Sequence, residues 1–349
     1  MSLTEKPEET PERLEFYARI DKHAMTPLWA VFSDIITPEP KSACKPHLWH
    51  FDQAREFLLE SGGLITAKEA ERRVLILENP GMRGSSQITT SLYAGLQLVM
   101  PGEVAPAHRH SQSALRFVLD GKGAHTSVDG ERTVMEYGDF VITPPGAWHD
   151  HGNHTDEPMI WLDGLDIPIV GFFDASFAEP FDKDEQPLTR QSGDSFARFG
   201  ANMLPVDFES RGKASPIFNY PFNRSREALE KMKEQQEWDP CHGLRMRYVN
   251  PVDGGWAMPT ISTFLQLLPK GFKTAACRAT DATVFVPVEG RGRSTIDGQV
   301  FEWGPRDIFV APSWKWVSHE ADDEAVLFSY SDRVAQQKLG LWREDRGNA

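Results

Sequence analysis

The chain has 349 residues and a formal net charge of −14, from 51 acidic and 37 basic side chains. This acidic balance argues against nucleic acid or an anionic membrane as a partner. The sequence has no signal-peptide pattern and no apolar run of the roughly 18 residues that a spanning helix needs, so we expect a cytoplasmic protein. Three widely spaced cysteines, Cys44, Cys241 and Cys277, fit a reducing compartment better than a disulfide framework.

The first ~95 residues are predicted to be mainly helical. Thr10 can cap a helix over residues 11–22, Asp52 can cap one over 53–59 that ends before two glycines, and residues 66–69 have a capping-box pattern. We expect this region to form an arm or cover without a core of its own.

From residue 73 the pattern changes to short apolar segments separated by Gly and Pro. Such spacing predicts an antiparallel sandwich or barrel. A less regular stretch with one helix over 225–238 interrupts the pattern, and a last helix is predicted over 332–343. The predicted strands are 74–77, 96–100, 115–119, 125–128, 139–142, 159–165, 263–268, 283–288, 294–298 and 307–312.

The two groups of strands are related by an internal duplication. Their turn residues align in order, and both copies contain a Gly-x-Gly, an Asp-Gly and an Asp-led strand that ends in proline. The aligned pairs are Gly102 with Gly271, Gly121 and Gly123 with Gly290 and Gly292, Gly130 with Gly298, and residues 139–144 with 307–312.

Three histidines in the first copy have the spacing of a metal site. His108 and His110 are two residues apart, so on a strand both rings leave the same face. His149 follows the turn at residues 144–146, which can bring a third imidazole to the same metal. Imidazole suits Zn, Cu, Fe or Ni, and three ligands leave positions open for catalysis.

The second copy lacks these ligands. In the same alignment, the positions of His108, His110 and His149 are occupied by Cys277, Ala279 and Val317. We therefore expect no metal there, and a role in packing, subunit contact and shaping the first site.

Two blocks of the first copy match the cupin family. The first is Gly102, five residues, His108 and His110, then Gly121; the second runs from Gly138 through residues 144–146 and His149 to Asn153. The glutamate ligand that cupins usually carry is absent, since its positions hold Ala114 and Leu115.

A duplicated cupin with three histidines in one copy resembles the gentisate 1,2-dioxygenase group, which includes salicylate and 1-hydroxy-2-naphthoate dioxygenases. The likeness extends over nearly the whole chain and includes residues 46–49, 70–73, 92–97 and 161–166. It implies an all-β dominated bicupin of two jelly-roll barrels with N-terminal and linker helices. It also implies Fe(II), one per chain in the first cupin domain, with O2 as oxidant and a homotetrameric assembly.

This resemblance gives a five-part organisation. The parts are an N-terminal arm with the first strands (1–95), a metal-binding cupin domain (96–166), a linker with a helix (167–258), a metal-free cupin domain (259–331) and a C-terminal helix and tail (332–349).

Three neutral imidazoles leave Fe(II) with its full charge, which favours a dianionic chelating substrate. A hydroxybenzoate offers one oxygen from its carboxylate and one from the adjacent hydroxyl. The resemblance implies cleavage of the bond between the carbons that carry these groups, which would convert gentisate to maleylpyruvate. Salicylate and 1-hydroxy-2-naphthoate remain alternative substrates.

Arg116 is the main candidate for binding the substrate carboxylate. It lies six residues after His110 on the next predicted strand, and Leu115 and Phe117 indicate that this strand is buried. Arg72 and Lys68 lie in the arm, where the family has further carboxylate-binding cations, and both are candidates for that role.

His151 follows His149 by two residues, so we expect it to face the metal without binding it. We expect a pKa near neutrality that lets it hydrogen-bond to oxygen or take the proton of a substrate hydroxyl. Asp163 could orient His151 through its other ring nitrogen.

Tyr93, Gly95 and Gln97 alternate along one predicted strand and could line one wall of the site. A tyrosine hydroxyl there would suit a second ring hydroxyl, which favours gentisate over salicylate.

Two other classes compete with a dioxygenase. Metal-dependent isomerases and decarboxylases of the duplicated cupin type generally retain the glutamate ligand. A non-catalytic bicupin has no need for three histidines beside an inward arginine.

Overall fold

The computed structural model describes residues 6–210 and 212–347. The chain forms two compact units, of which the first ends at Ser42 and the second begins at Ala43. Parts of the predicted arm (residues 1–5) and of the predicted tail (348–349) lie outside the described residues, and the five-part organisation stays a prediction. No helix in the described ranges is long and apolar enough to cross a membrane.

The N-terminal unit contains two helices, α1 (Pro11–Asp21) and α2 (Leu28–Ile35). The Thr10 side chain accepts a hydrogen bond from the backbone N–H of Arg13, as the predicted cap requires. Within the unit, the Trp29 indole donates to the Tyr17 hydroxyl at 2.9 Å. The sequence patterns did not predict α2, a short helix with no side-chain cap.

The first barrel combines a six-stranded and a five-stranded antiparallel sheet. The elements from β1 to β12 are β1 (His47–Trp49), α3 (Phe51–Leu64), α4 (Ala67–Ala70), β2 (Val74–Ile76), β3 (Tyr93–Val99), β4 (Val104–His110), β5 (Ala114–Asp120), β6 (His125–Val128), β7 (Glu131–Val134), β8 (Phe140–Thr143), β9 (His149–Gly152), β10 (Met159–Leu165), α5 (Ile167–Phe172), β11 (Ala178–Pro180), α6 (Asp194–Phe199) and β12 (Asn219–Tyr220). The strand orders of the two sheets are β12-β8-β5-β10-β3-β2 and β11-β4-β9-β6-β7.

The second barrel repeats the plan with its strands divided among three sheets. The remaining elements of the chain are α7 (Phe222–Lys233), β13 (Leu244–Arg247), β14 (Ser262–Leu268), β15 (Arg278–Ala279), β16 (Thr283–Glu289), β17 (Gly292–Ile296), β18 (Gln299–Trp303), β19 (Ile308–Ala311), β20 (Val317–Ala321), β21 (Ala325–Ser331), α8 (Arg333–Lys338) and β22 (Glu344–Asp345). The six-stranded sheet of this barrel has the order β1-β19-β16-β21-β14-β13. Its three-stranded sheet has the order β18-β17-β20, and β15 pairs with β22.

The two six-stranded sheets pack against each other. Phe117 of β5 stacks on Phe328 of β21 with ring centroids 4.1 Å apart, and both rings are fully buried. One hydrophobic core therefore extends across both barrels. Strand alternation turns the opposite face of each sheet toward the interior of its own barrel.

Two helices begin at caps that come from distant parts of the chain. Asp307 accepts a hydrogen bond from the Phe51 N–H at the start of α3, and Asp139 accepts one from the Phe222 N–H at the start of α7. The predicted Asp52 cap is wrong, because Asp52 lies within the first turn of α3. The predicted helix over 225–238 corresponds to α7, which begins earlier, at Phe222, and ends earlier, at Lys233.

Two other helix boundaries also differ from expectation. The pair Gly62 and Gly63 does not end α3, which continues to Leu64 with Phe51 and Leu58 buried. The last helix is shorter than 332–343: α8 ends at Lys338, and Gly340 follows with a φ of 71°. The capping box at residues 66–69 is confirmed.

Candidate metal and substrate site

The three predicted metal ligands meet inside the first barrel. His108 on β4 is the Cα partner of His149 on β9, and His110 lies two residues further along β4. The imidazole ring centroids are 4.2 Å (His108–His149), 4.8 Å (His110–His149) and 5.3 Å (His108–His110) apart. The ligand atoms of the three residues lie within 4.8 Å of one another, so one metal ion can bind all three.

Hydrogen bonds fix the orientation of each imidazole. The Nδ1 atoms of His108, His110 and His149 face the backbone oxygens of Pro106, Gln112 and Ala147 at 3.2, 3.0 and 3.0 Å. For His110 and His149, an Nδ1–H that donates to the carbonyl leaves the Nε2 lone pair free for a metal. The His108 Nδ1 faces both the Pro106 oxygen and the Arg72 guanidinium.

The charge state of the three rings also fits a metal. Burial is the largest cause that lowers the pKa of His108 to about 3 and that of His110 to about 4. The pKa of the fully buried His149 is lowered well below its usual value for the same reason. All three imidazoles are therefore neutral at neutral pH, the form in which histidine binds metals.

Arg116 lies inside the barrel on β5 and is 3% exposed. Its Nη1 donates to Thr143 Oγ1 at 2.6 Å, and its Nε lies 3.7 Å from Asp163 Oδ1. The Nε atom is buried and has no hydrogen-bond partner. A buried guanidinium with spare donors can bind a carboxylate with two parallel hydrogen bonds.

Asp163 does not orient His151, contrary to expectation. Its Oδ1 accepts a hydrogen bond from the Trp161 indole at 2.9 Å, and its other close charge is Arg116. Burial raises the pKa of Asp163 to about 6, against the opposing effect of Arg116. These two contacts show that the Asp163 carboxylate faces Arg116 and Trp161 rather than the imidazole of His151.

His151 is held by Thr126, a residue that the sequence patterns missed. Thr126 Oγ1 donates to the backbone oxygen of Asp150 at 3.2 Å and lies 2.7 Å from His151 Nδ1. Since its one hydroxyl hydrogen is used, the Nδ1–H of His151 donates to Thr126. His151 Nε2 is buried without a partner.

The expected pKa of His151 near neutrality is also corrected. Burial, followed by the charges of Arg116 and Arg72, lowers this pKa well below its usual value. The residue is a neutral hydrogen-bond acceptor at Nε2. Thr126 is the Cα partner of His151 in the pairing of β6 and β9, a relationship that requires knowledge of strand order.

Arg72 lies beside the histidines, whereas Lys68 does not join them. The Arg72 Nη2 atom donates to the backbone oxygen of Pro106 at 2.7 Å and also contacts His108 Nδ1. Burial and the charge of Arg116 lower the pKa of Arg72 to about 10, so it remains a cation at neutral pH. Lys68 is exposed on α4.

Tyr93, Gly95 and Gln97 share one face of β3, as alternation predicts. A Cβ atom added to Gly95 would lie 2.7 Å from the Tyr93 hydroxyl and 2.4 Å from Val74 Cγ1. Only glycine therefore leaves room for both neighbours. Gln97 is 3% exposed, and its Nε2 has no hydrogen-bond partner.

A second group of potential ligands lies apart from the three histidines. His125, His154 and Glu185 place one ligand atom each within 4.8 Å of the others. Glu185 already pairs with Arg132 at 2.7 Å, and His154 is exposed. We assign no function to this group.

The fold is that of a cupin with a candidate three-histidine metal site, and the sequence model of the Cupin domain family matches residues 95–165. Gentisate 1,2 dioxygenase 1 of Aquipseudomonas alcaligenes is 67% identical over 346 residues, covering 99% of this chain and 100% of the relative. A gentisate 1,2-dioxygenase of Streptomyces is 36% identical and covers 97% of this chain and 98% of its own.

A solved structure of the salicylate 1,2-dioxygenase of Pseudoaminobacter salicylatoxidans with gentisate is similar throughout. It has a TM-score of 0.93 and 34% sequence identity, with 100% of this chain and 98% of that chain covered. The chain belongs to the gentisate 1,2-dioxygenase family of ring-cleaving bicupin dioxygenases. The family and the bicupin fold predicted from sequence are thereby confirmed.

Proposed function

We propose that this protein is an Fe(II)-dependent dioxygenase that converts gentisate and O2 to maleylpyruvate. The observation that carries the proposal is the convergence of three neutral histidines beside the buried Arg116, whose Nε has no hydrogen-bond partner. The relative at 67% identity is named a gentisate 1,2-dioxygenase. Both oxygen atoms enter the product, and the bond between the carboxyl-bearing and hydroxyl-bearing ring carbons breaks.

The proposed cofactor is one Fe(II) per chain, bound by His108, His110 and His149. Iron supplies the site with a centre that can bind both substrates and pass electrons from the ring to oxygen. Three neutral ligands leave the ion its full charge, which complements a dianionic substrate. The Nδ1–H bonds of His110 and His149 support this assignment, because they direct Nε2 to the metal.

Arg116 is proposed to bind the substrate carboxylate. Its guanidinium is held at one end by Thr143, and its buried Nε has no hydrogen-bond partner. A charge-assisted pair with a carboxylate is strong in such a buried position. Arg72 adds a second cation at the edge of the site, and its interactions with backbone oxygens of Glu71 and Pro106 position it there.

His151 is proposed to accept the hydrogen bond of a substrate hydroxyl through Nε2. Thr126 fixes the tautomer in which Nε2 is the acceptor. Asp163 is proposed to position Arg116, since its carboxylate lies 3.7 Å from the guanidinium Nε.

Tyr93 and Gly95 are proposed to select the ring substituent, with Gln97 on the same wall. The Tyr93 hydroxyl lies over Gly95 and offers a hydrogen bond to the second hydroxyl of gentisate. Salicylate and 1-hydroxy-2-naphthoate lack that hydroxyl and are the alternative substrates.

The remaining predictions concern the whole molecule. We propose that residues 96–166 form the metal-binding domain and 259–331 the metal-free one. We further propose that the protein is a homotetramer, as the family resemblance implies, and that it is cytoplasmic, which the odd number of widely spaced cysteines supports.

Anaerobic loading with Fe(II), followed by addition of substrate and air, tests the function. We expect oxygen uptake with gentisate and a higher kcat/KM for gentisate than for salicylate or 1-hydroxy-2-naphthoate. Iron-loaded protein that consumes no oxygen with any of the three would contradict the proposal. A preference for salicylate would keep the reaction class and change the substrate.

A further inference from the structure

The second barrel has its own polar cavity in place of the metal site. The cavity has a volume of about 50 Å³ and is lined by Arg245, Gln266, Cys277 and His319, among others. A single water occupies roughly 10–15 Å³ by this measure, so the cavity can hold about four waters or one small molecule.

Arg245 and Gln266 face this cavity with unused donors. They are direct Cα partners in the pairing of β13 and β14. The Nε atom of Arg245 and the Nε2 atom of Gln266 are both buried without a hydrogen-bond partner. The guanidinium packs over the Phe264 ring at 3.8 Å from the ring centroid, which gives it a fixed position.

Among the described residues, no carboxylate forms a salt bridge with Arg245, although Asp281 and Glu344 lie near enough to raise its pKa. The other cations that line the cavity have partners: Arg278 pairs with Asp345 at 3.1 Å, Arg333 with Asp281 at 3.3 Å, and Lys315 with Asp297 at 2.7 Å. Within the described part of the chain, Arg245 alone among the arginine and lysine residues that line the cavity has no salt bridge.

Arg245 nevertheless stays charged. Burial, followed by the charge of Arg333, lowers the pKa of Arg245 to about 9. At neutral pH it remains a guanidinium cation. The nearby His319 is neutral, because burial lowers its pKa to about 3. A buried guanidinium donor without a hydrogen-bond partner is costly, and an anion that accepts a hydrogen bond from Arg245 Nε would offset that cost.

The first barrel also contains one glutamine and one arginine with an unsatisfied buried donor. Gln97 of β3 corresponds to Gln266 of β14 in the duplication, and both have an unsatisfied Nε2. Arg116 provides the unsatisfied Nε in the first barrel and Arg245 provides it in the second, from different strands.

We propose that the second barrel binds a small monocarboxylate, of the size of acetate or pyruvate, through Arg245 and Gln266. The guanidinium and the amide offer planar donors that match the two oxygens of a carboxylate. The cavity is too small for a benzoate ring. Its lining includes Asp281 and Glu344, which disfavour a doubly charged anion such as phosphate.

Ligand-observed NMR titration of the metal-loaded protein with acetate tests the proposal. Arg245→Met removes the charge but keeps an apolar stem over Phe264, and we expect it to weaken acetate binding by about tenfold or more. The matched control is Arg247→Met, which removes an exposed arginine of the same strand that packs over Trp256. We expect it to leave acetate binding unchanged.

Two further variants distinguish this cavity from the site in the first barrel. Arg116→Met should retain acetate binding, because Arg116 lies in the first barrel. Gln266→Leu should weaken acetate binding although it keeps the charge of Arg245. The proposal is overturned if wild-type protein binds no acetate, if Arg245→Met binds it normally, or if Arg116→Met abolishes it. Tighter binding of phosphate than of acetate would overturn the assignment to a carboxylate. None of these outcomes depends on oxygen uptake, so they are distinct from a failure of the proposed dioxygenase.

Discussion

His149 and Val317 occupy the same position in the two barrels. His149 is the Cα partner of His108, and Val317 forms the equivalent bridge to Cys277. The backbone geometry of a cupin metal site is thus present twice, whereas the three-histidine set occurs once among the described residues. The difference between the barrels lies in side chains, and most of our predictions concern those side chains.

Arg116→Met should raise the KM for gentisate while iron content stays near one per chain. Loss of a buried charge-assisted pair costs about 2 kcal/mol, or roughly thirtyfold in affinity. Substrate titration of the iron-loaded variant measures this change.

Arg109→Met is the matched control for Arg116. Arg109 lies between the two ligands of β4, but its side chain points outward to Glu179 at 2.5 Å. Its loss should leave KM nearly unchanged. If Arg116→Met lost its iron but bound gentisate normally when reloaded, the residue would be structural.

Thr126→Val should lower kcat by about tenfold with little change in iron content. The replacement removes the oxygen that accepts the Nδ1–H of His151, so the ring loses its fixed tautomer. Steady-state kinetics over a range of pH would show the change in kcat and in the shape of the profile.

Ser294→Ala provides the comparison in the second barrel. Ser294 Oγ lies 2.7 Å from His319 Nδ1, the same distance as between Thr126 and His151. We expect this variant to lose stability and keep its kcat. Equal losses of kcat in the two variants would show that Thr126 acts only through stability.

The metal ligands could be predicted from the sequence because they depend on local rules. His108 and His110 are two residues apart on one strand, which predicts that both rings lie on the same face. The turn of prolines and glycine before His149 predicts that the third ring joins them, and the structure shows all three together. The duplication also aligned Cys277 with His108 and Val317 with His149, as the structure shows.

The contacts that support the ligands could not be predicted in this way. Thr126 meets His151 only because β6 pairs with β9, and Asp307 caps α3 from 256 residues away. The first contact depends on strand order within one barrel, and the second depends on how α3 packs beside the second barrel. Asp163 was placed on the correct face, but its partner depended on where the Trp161 indole points.

Gly95→Ala should reduce activity with gentisate more than with salicylate. The new Cβ would lie within 2.7 Å of the Tyr93 hydroxyl, so the tyrosine must move from the position that suits a second ring hydroxyl. The ratio of kcat/KM for the two substrates measures the effect.

Gly63→Ala is a suitable control for added volume. No atom lies within 4 Å of a Cβ at this position of α3, and alanine should stabilise the helix by up to about 1 kcal/mol. A substrate ratio unchanged in Gly95→Ala would contradict the role of Tyr93.

Protein stability should fall in acid partly because of His319. Its pKa is lowered to about 3 in the folded protein, against about 6.5 in an unfolded chain. Between these values the unfolded state binds the additional proton, so this contribution is complete above pH ~6.5 and is lost as the pH falls toward 3.

His319→Phe removes the titrating group within a cluster of Phe285 and Phe309. Urea unfolding at a series of pH values should show a flatter acid slope for this variant, by at most about 1.4 kcal/mol per pH unit. Parallel slopes for variant and wild type would show that His319 is protonated in the folded state.

The central claim is that the three-histidine site holds the iron at which gentisate is cleaved by both atoms of O2. Mass spectrometry of the rapidly quenched product, formed by Fe(II)-loaded protein from gentisate under ¹⁸O2, tests this most directly. We predict a ring-opened product that contains two labelled oxygens and does not form in the His149→Ala variant. A product with one labelled oxygen or none, or equal turnover by the variant, would contradict the claim.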